Sequence, residues 1–148
     1  MKKIVLAVDG SDHALRGAEM AGELSQRFDA VVDIVNVVPE NRMVVPGTIQ
    51  DYSRLENIYM TQRDLLQSAG RDIVGRAARQ VVESGGTTGE REVIVGPPAP
   101  SIADYAESVS ADCIVMGRRG LGEIKGLFMG SISQRVGHLT DITLVTTQ

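Results

Sequence analysis

The chain contains short apolar runs that alternate with longer segments in which apolar residues recur at helical spacing. Continuous apolar runs are typical of parallel β-strands that are covered on both faces, and a last candidate near residue 148 alternates between apolar and polar residues instead. The five predicted strands are residues 4–8, 31–38, 90–95, 114–116 and 142–147.

Segments of helical spacing connect these strands. The predicted helices cover residues 11–28, 51–84, 97–109 and 131–138. Gly70 and Gly75 in the second helix either weaken it or permit close packing. The alternation of strand and helix predicts an α/β fold, with an open, mainly parallel five-stranded sheet sandwiched by helices in a Rossmann-like arrangement and joined by right-handed crossovers.

Length and composition fit one globular domain. We expect residues 1–148 to form a single domain, because hydrophobic residues make up 43% and charged residues 23% of the chain. No apolar run reaches the roughly 18 residues of a membrane helix, and the run after Lys3 is too short for a signal peptide. We therefore expect a cytoplasmic protein without membrane insertion, and the net charge of −4 argues against nucleic acid as a partner.

The chain offers few candidate metal ligands or reactive thiols. Cys113, the single cysteine, lies in an apolar run and is predicted to be a buried strand residue. His13 and His138 have no Cys or His partner at metal-ligand spacing. The sequence therefore predicts no metal site.

Glycine is concentrated between the fourth strand and the last helix. Five of the 16 glycines fall between Gly117 and Gly130, in the pattern Gly117-x2-Gly120-x9-Gly130-Ser131. Glycine allows a loop to approach a ligand closely, and Ser131 is predicted to cap a helix whose unpaired amides favour a phosphate. The pattern is neither a Walker A loop nor the dinucleotide-binding fingerprint, and a flexible surface loop is the alternative interpretation.

This pattern resembles the nucleotide-binding signature of the ATP-binding branch of the universal stress protein family. The resemblance implies the strand order 3-2-1-4-5, which brings Asp9 at the end of the first strand beside Gly117 at the end of the fourth. Four further segments resemble the family in the same order: Val5-Leu-Ala-Val-Asp9-Gly10-Ser11, Asn36-Val37-Val38-Pro39, Gly96-Pro-Pro-Ala99 and Val115-Met-Gly-Arg-Arg-Gly120.

The resemblance also implies a site for ATP, with or without Mg²⁺. The carboxylate of Asp9 engages the adenosine, the backbone of Val37 bonds adenine, and Met116 borders the ribose and base. Three alternatives stay open. Asp9 can instead cap the following helix, and Val37 and Met116 can each be core residues that do not contact the ligand. The residues predicted to bind nucleotide are Ala7, Val8, Asp9, Val37, Met116, Gly117, Arg119, Gly120, Gly130, Ser131 and Ile132. Of these, the resemblance assigns the phosphates to Gly120, Gly130, Ser131 and the amide of Ile132.

We expect binding rather than rapid catalysis at this site. Hydrolysis requires a group that orients water, and no carboxylate pair lies near the predicted phosphate segment. No catalytic residue is therefore predicted. The resemblance implies a nucleotide-dependent regulatory module in the stress response, with an unidentified protein client. The alternatives are a slow ATPase and a dimeric interaction protein of the same fold that binds no nucleotide.

The fifth strand is predicted to form a sheet edge, which is a template for pairing with another copy of the chain. The family commonly dimerises through this strand, so the resemblance implies a homodimer. The segment 140–144, Thr-Asp-Ile-Thr-Leu, departs from the family's usual Ala-x-Cys-Pro-Val.

Overall fold

Strands and helices alternate from end to end of the part of the chain that the structure describes. A computed structural model of the protein describes residues 1–40, 52–118 and 130–148. The strands are β1 (Lys3–Ala7), β2 (Val31–Val38), β3 (Thr87–Val95), β4 (Cys113–Gly117) and β5 (Thr143–Thr147). The helices are α1 (Asp12–Phe28), α2 (Tyr52–Glu83), α3 (Pro98–Ser108) and α4 (Ser131–Leu139).

The five strands form one parallel sheet in the order β3-β2-β1-β4-β5, which confirms the predicted fold. The central strand β1 is apolar throughout its middle because both of its faces are covered. Ile4 and Leu6 pack against α1 and α2 on one face. Val5 and Ala7 pack against α3 and α4 on the other. The core therefore consists of two apolar layers, one on each side of the sheet.

The edge strand β3 begins at Thr87, three residues before the predicted start at 90. Its first residues are polar and exposed, so hydrophobic pattern could not locate them. Between the pairs Val32–Thr88 and Ile34–Arg91, Asp33 alone on β2 faces two residues of β3, which makes a β-bulge.

Asp33 is the polar residue that stabilises this bulge. It is 1% exposed, and its Oδ1 accepts a hydrogen bond of 2.9 Å from the amide of Glu90. Its Oδ2 lies 2.9 Å from Lys3 Nζ, so the buried charge is paired.

Burial, and then the carboxylates of Asp33, Glu92 and Glu90, raise the pKa of Tyr105 to about 12, and this phenol stays protonated at neutral pH.

Cys113 is fully buried at the start of β4, as predicted. Burial, and then the nearby carboxylate of Asp112, raise the pKa of its thiol, which lowers its reactivity.

Among the helices of the described ranges, none has the combination of length and apolar composition that crossing a membrane requires.

Helices α1 and α2 pack closely through Gly22. A Cβ at this position would lie 2.6 Å from the carbonyl oxygen of Val81 and 2.6 Å from Ser84 Cβ. The two helices can approach this far only because Gly22 has no side chain. At Gly75 of α2, in contrast, a Cβ would meet no atom of the described residues within 4 Å, so Gly75 has no packing role against that part of the chain.

We expect Gly22→Ala to lower the free energy of unfolding by about 1–3 kcal/mol, because the new methyl group must push the α2 backbone away. The matched variant Gly75→Ala should raise it by up to about 1 kcal/mol, since alanine is the better helix former and the site is open. Urea unfolding of both variants provides the measurement. Equal stability of the two variants would contradict the assigned helix contact.

Candidate functional site

A cavity of ≈ 400 Å³ lies at the carboxyl edge of the sheet, where β1 and β4 run side by side. The chain leaves these two strands in opposite directions, toward β2 on one side and β5 on the other. Such a reversal of winding leaves a crevice in open parallel sheets, and the volume lies within the range of small-molecule sites. We refer to this space as the switch-point cavity.

The switch-point cavity collects residues from distant parts of the chain. Nine of the eleven residues predicted to bind nucleotide line it, namely Ala7, Val8, Asp9, Val37, Met116, Gly117, Gly130, Ser131 and Ile132. The other two, Arg119 and Gly120, lie outside the described residues. Both Val37 and Met116 also pack with the core layer of α3 and α4, so their core role and their position at the cavity are compatible.

One wall was not predicted from the sequence. The side of α2 formed by Leu66, Ala69, Gly70 and Ile73 lines the cavity, together with Pro98 and Ile102 of α3. A Cβ on Gly70 would lie 2.7 Å from Asn36 Oδ1 and 2.8 Å from Val93 Cγ1, so this glycine permits close packing of α2. A glycine within a helix was the only available signal for this wall.

Asp9 occupies a tight turn between β1 and α1. Its Oδ1 accepts a hydrogen bond of 3.0 Å from the amide of Ser11. The cap of α1 is Ser11, whose Oγ accepts from the Ala14 amide at 3.2 Å. The alternative in which Asp9 caps this helix is therefore wrong. Gly10 has a φ of 87°, a left-handed conformation that glycine adopts without strain.

The backbone of β2 is directed toward the cavity beyond the end of β1. The Val8 amide donates to Val35 O at 2.9 Å, and Val8 O accepts from Asn36 Nδ2 at 2.8 Å. The backbone groups of successive strand residues point to opposite neighbours. Val37, two residues after Val35, therefore directs its amide and carbonyl toward the side where β1 has ended.

The N-terminus of α4 forms another wall. Gly130, with φ −68° and ψ 151°, is the N-cap, and Ser131 is the first helical residue. The prediction of Ser131 as the cap is wrong by one position, because Gly130 retains the extended conformation. The first amide bonded within the helix is that of Gln134, to Gly130 O at 3.1 Å. The amides of residues 131–133 thus have no carbonyl partner within the helix, and this end of the helix dipole is positive.

The N-terminus of α3 has a different character. Pro97 is its cap and Pro98 its first residue, and the amide of Ser101 bonds Pro97 O at 3.0 Å. Since Pro98 and Pro100 have no N–H group, Ala99 alone has an amide in the first three helical positions. The switch-point cavity therefore has an end rich in amide donors at α4 and a mainly apolar end at α3.

The backbone of a single residue, Arg118, joins the elements around the α4 end. The amide of Arg118 donates to Thr147 O at 2.7 Å, which attaches the end of β4 to the end of β5. The carbonyl of Arg118 accepts from the Gly130 amide at 2.7 Å and from Ser133 Oγ at 3.0 Å. The start of α4 is thereby attached to the sheet beside the cavity.

Comparison with known proteins identifies the family. The sequence profile of the universal stress protein family matches residues 1–147. This chain belongs to the universal stress protein family. A universal stress protein of Methanocaldococcus jannaschii is 32% identical over 136 residues, covering 91% of this chain and 75% of the relative. One from Thermus aquaticus is 34% identical over 139 residues, covering 91% of this chain and 90% of the relative.

Solved structures of universal stress proteins share the fold. UspA from Lactobacillus plantarum has a TM-score of 0.84 at 22% identity, covering 99% of this chain and 97% of that one. A universal stress protein in complex with cAMP has a TM-score of 0.69 at 23% identity, covering 99% and 97%. The Archaeoglobus fulgidus protein in complex with dAMP has a TM-score of 0.66 at 22% identity, covering 100% and 98%.

We expect Gly10→Ala to lower the free energy of unfolding of this universal stress protein by about 1–2 kcal/mol. The positive φ of Gly10 is strained for alanine, and the new Cβ would lie 3.1 Å from Ile73 Cδ1. Gly75→Ala is the control, because Gly75 lies inside a helix and its Cβ would meet no atom of the described residues within 4 Å, so this variant should not lower the free energy of unfolding. Thermal and urea unfolding measure both effects, and a loss at Gly75 as large as that at Gly10 would contradict this assignment.

Proposed function

We propose that this universal stress protein binds an adenine nucleotide, ATP in particular, in the switch-point cavity, and acts as a nucleotide-dependent regulatory module in the stress response. One observation carries the proposal. Asp9, Val37, Gly117 and Ser131 come from four separate segments, and all of them line a single cavity. The complexes of two structural relatives with cAMP and with dAMP support adenine nucleotides as the ligand class.

The contrast between the two helix ends suggests how the ligand lies. The phosphates bind at α4, where the amides of residues 131–133 and the positive helix end favour an anion. The base lies toward β2, where Val37 directs its backbone groups into the space beyond β1 and apolar side chains such as Ile102 line the wall. An amide and a carbonyl together match the donor and acceptor on the edge of adenine.

Asp9 lies between these ends and accepts hydrogen bonds from the adenosine. A carboxylate accepts from a ribose hydroxyl or from an amino group, and both are present in an adenosine. The Asp9 carboxylate is already oriented, because its Oδ1 accepts from the Ser11 amide. Preorientation reduces the entropy that binding must remove.

Binding without rapid hydrolysis is the activity that we propose. Among the described residues that line the cavity, Asp9 is the only carboxylate, and in the proposed pose it contacts the adenosine, away from the phosphates. A water molecule attacking the terminal phosphate would need a group that orients it there. Mg²⁺ would accompany ATP as a counter-ion to the phosphates.

We expect Asp9→Ala to weaken ATP, AMP and adenosine by similar factors of about 10 or more, because one charged hydrogen bond is worth about 1.5–3 kcal/mol. Isothermal titration of the three ligands measures the effect. Asp12→Ala is the control, since it removes the same charge from the exposed first turn of α1 and leaves the cavity lining unchanged.

Two results would contradict the proposal. If wild-type protein binds none of the three ligands and releases no nucleotide on denaturation, the alternative of a pure interaction protein is favoured. If Asp9→Ala binds all three as tightly as Asp12→Ala does, Asp9 is not a ligand-binding residue. Measurable release of inorganic phosphate from ATP would instead favour the slow ATPase.

We also propose that the protein forms a homodimer through β5. The two edge strands differ in character, because β3 exposes Glu90, Arg91 and Glu92, while Thr143–Thr147 carries no charge. Charged residues on an edge oppose pairing with another strand, and an uncharged edge permits it. Since Thr147 O bonds Arg118, Thr147 and Val145 face β4, and the backbone groups of Thr146 point outward.

We expect Thr146→Pro to convert the proposed dimer to a monomer. Proline removes the outward N–H group of the edge while the inward bonds to β4 remain. The control Thr146→Val keeps the N–H group and should stay dimeric. Light scattering after size-exclusion chromatography gives the mass directly. A dimeric Thr146→Pro, or a monomeric wild type, would contradict pairing through β5.

A further inference from the structure

Ser133 occupies the third position of α4 and was not among the residues predicted to bind nucleotide. It is 2% exposed, and it lines the switch-point cavity. Its hydroxyl oxygen lies 3.0 Å from the carbonyl oxygen of Arg118 and 3.0 Å from that of Gly130. The single hydroxyl hydrogen is therefore shared between two backbone carbonyls, one where the described chain leaves β4 and one where it enters α4.

The start of α4 has no side-chain cap of its own. Gly130 is the N-cap and has no side chain that could accept a hydrogen bond from the helix amides. Helix starts are usually held by such a side chain. Here the start is held from within, because the Gly130 amide and Ser133 Oγ both donate to Arg118 O. The Arg118 amide in turn donates to Thr147 O at 2.7 Å, so the attachment extends into β5.

We infer that Ser133 is a positioning residue for the phosphates. Its hydroxyl fixes the amides of residues 131–133 relative to the end of β4, so that they are already ordered before a ligand arrives. The inference rests on the proposed function and extends it, because it assigns the ATP preference of the site to a residue that does not contact the adenosine. Preformed donors bind more tightly than donors that must be ordered on binding.

Removing the hydroxyl should leave the fold intact. Without it, Arg118 O still accepts from the Gly130 amide, and Gly130 O still accepts from the Gln134 amide at 3.1 Å. No buried acceptor loses its last donor, which is the costly case. Ser133→Ala therefore separates the positioning effect from unfolding.

The experiment compares ATP, AMP and adenosine on wild type, Ser133→Ala and Ser133→Thr by isothermal titration. In Ser133→Ala the affinity for adenosine should stay within about twofold of wild type. The affinity for ATP should fall about tenfold, as expected when one hydrogen bond that orders the phosphate-binding amides is lost. Ser133→Thr keeps the hydroxyl and should restore ATP affinity. A purely structural role would weaken adenosine and ATP alike, and would leave their ratio unchanged.

The outcomes distinguish the inference from the function on which it rests. If wild type binds ATP no more tightly than adenosine, phosphate binding at α4 is wrong, and the role of Ser133 falls with it. If wild type prefers ATP and Ser133→Ala keeps the same ratio of ATP to adenosine affinity, the proposed function stands and the positioning role is overturned. Failure of a folded Ser133→Thr to restore ATP affinity would also overturn it.

Discussion

The parallel pairing of β1 with β4 is the constraint on which the rest of this site depends. The register runs from Ile4 opposite Cys113 to Ala7 opposite Met116, so both strands end at nearly the same level. Neighbouring strands lie on opposite sides of the pair, and among the described residues no strand fills the space beyond it. The strand ends Ala7 and Gly117, more than 100 residues apart in the sequence, are thereby placed side by side. The hydrophobic layers on both faces of the sheet keep this pairing in place.

The starts of helices α3 and α4 give the two ends of the switch-point cavity different chemical character. Prolines at the start of α3 remove amide donors, whereas the start of α4 presents the amides of residues 131–133. A ligand with one apolar and one anionic end can therefore satisfy both walls in a single orientation. The protein as a whole carries a net charge of −4, so attraction for a phosphate must be local, from the helix dipole, from amide donors and from Arg118 in the cavity lining. Adenine nucleotides have the required shape, which is the physical basis of the proposed function.

The strands follow from sequence patterns that have a direct physical cause, whereas their order and most of the cavity lining were implied by the resemblance to the universal stress protein family. Strands buried on both faces, such as Val31–Val38, are rich in β-branched apolar residues, so their extents were predictable even though Asp33 and Asn36 interrupt this one. The start of β3 was not, because an edge strand tolerates polar residues such as Thr87 and Glu90. The wall formed by Leu66 and Gly70 of α2 escaped prediction because apolar residues of an ordinary amphipathic helix do not reveal which neighbour they face. Ser133 escaped for a similar reason, since the contact of its hydroxyl with Arg118 O forms only in the tertiary structure.

The most direct test of the central claim is an amide NMR titration of ¹⁵N-labelled protein with ATP and, separately, with adenosine. The account predicts that ATP shifts the amide signals of Ser131, Ile132 and Ser133, that adenosine leaves these three nearly unchanged, and that both ligands shift Val37. Ala99 at the start of α3 serves as the internal reference and should respond equally to the two ligands. Phosphate-dependent shifts at Ala99 with none at the start of α4, or no response of Val37 to either ligand, would contradict the account.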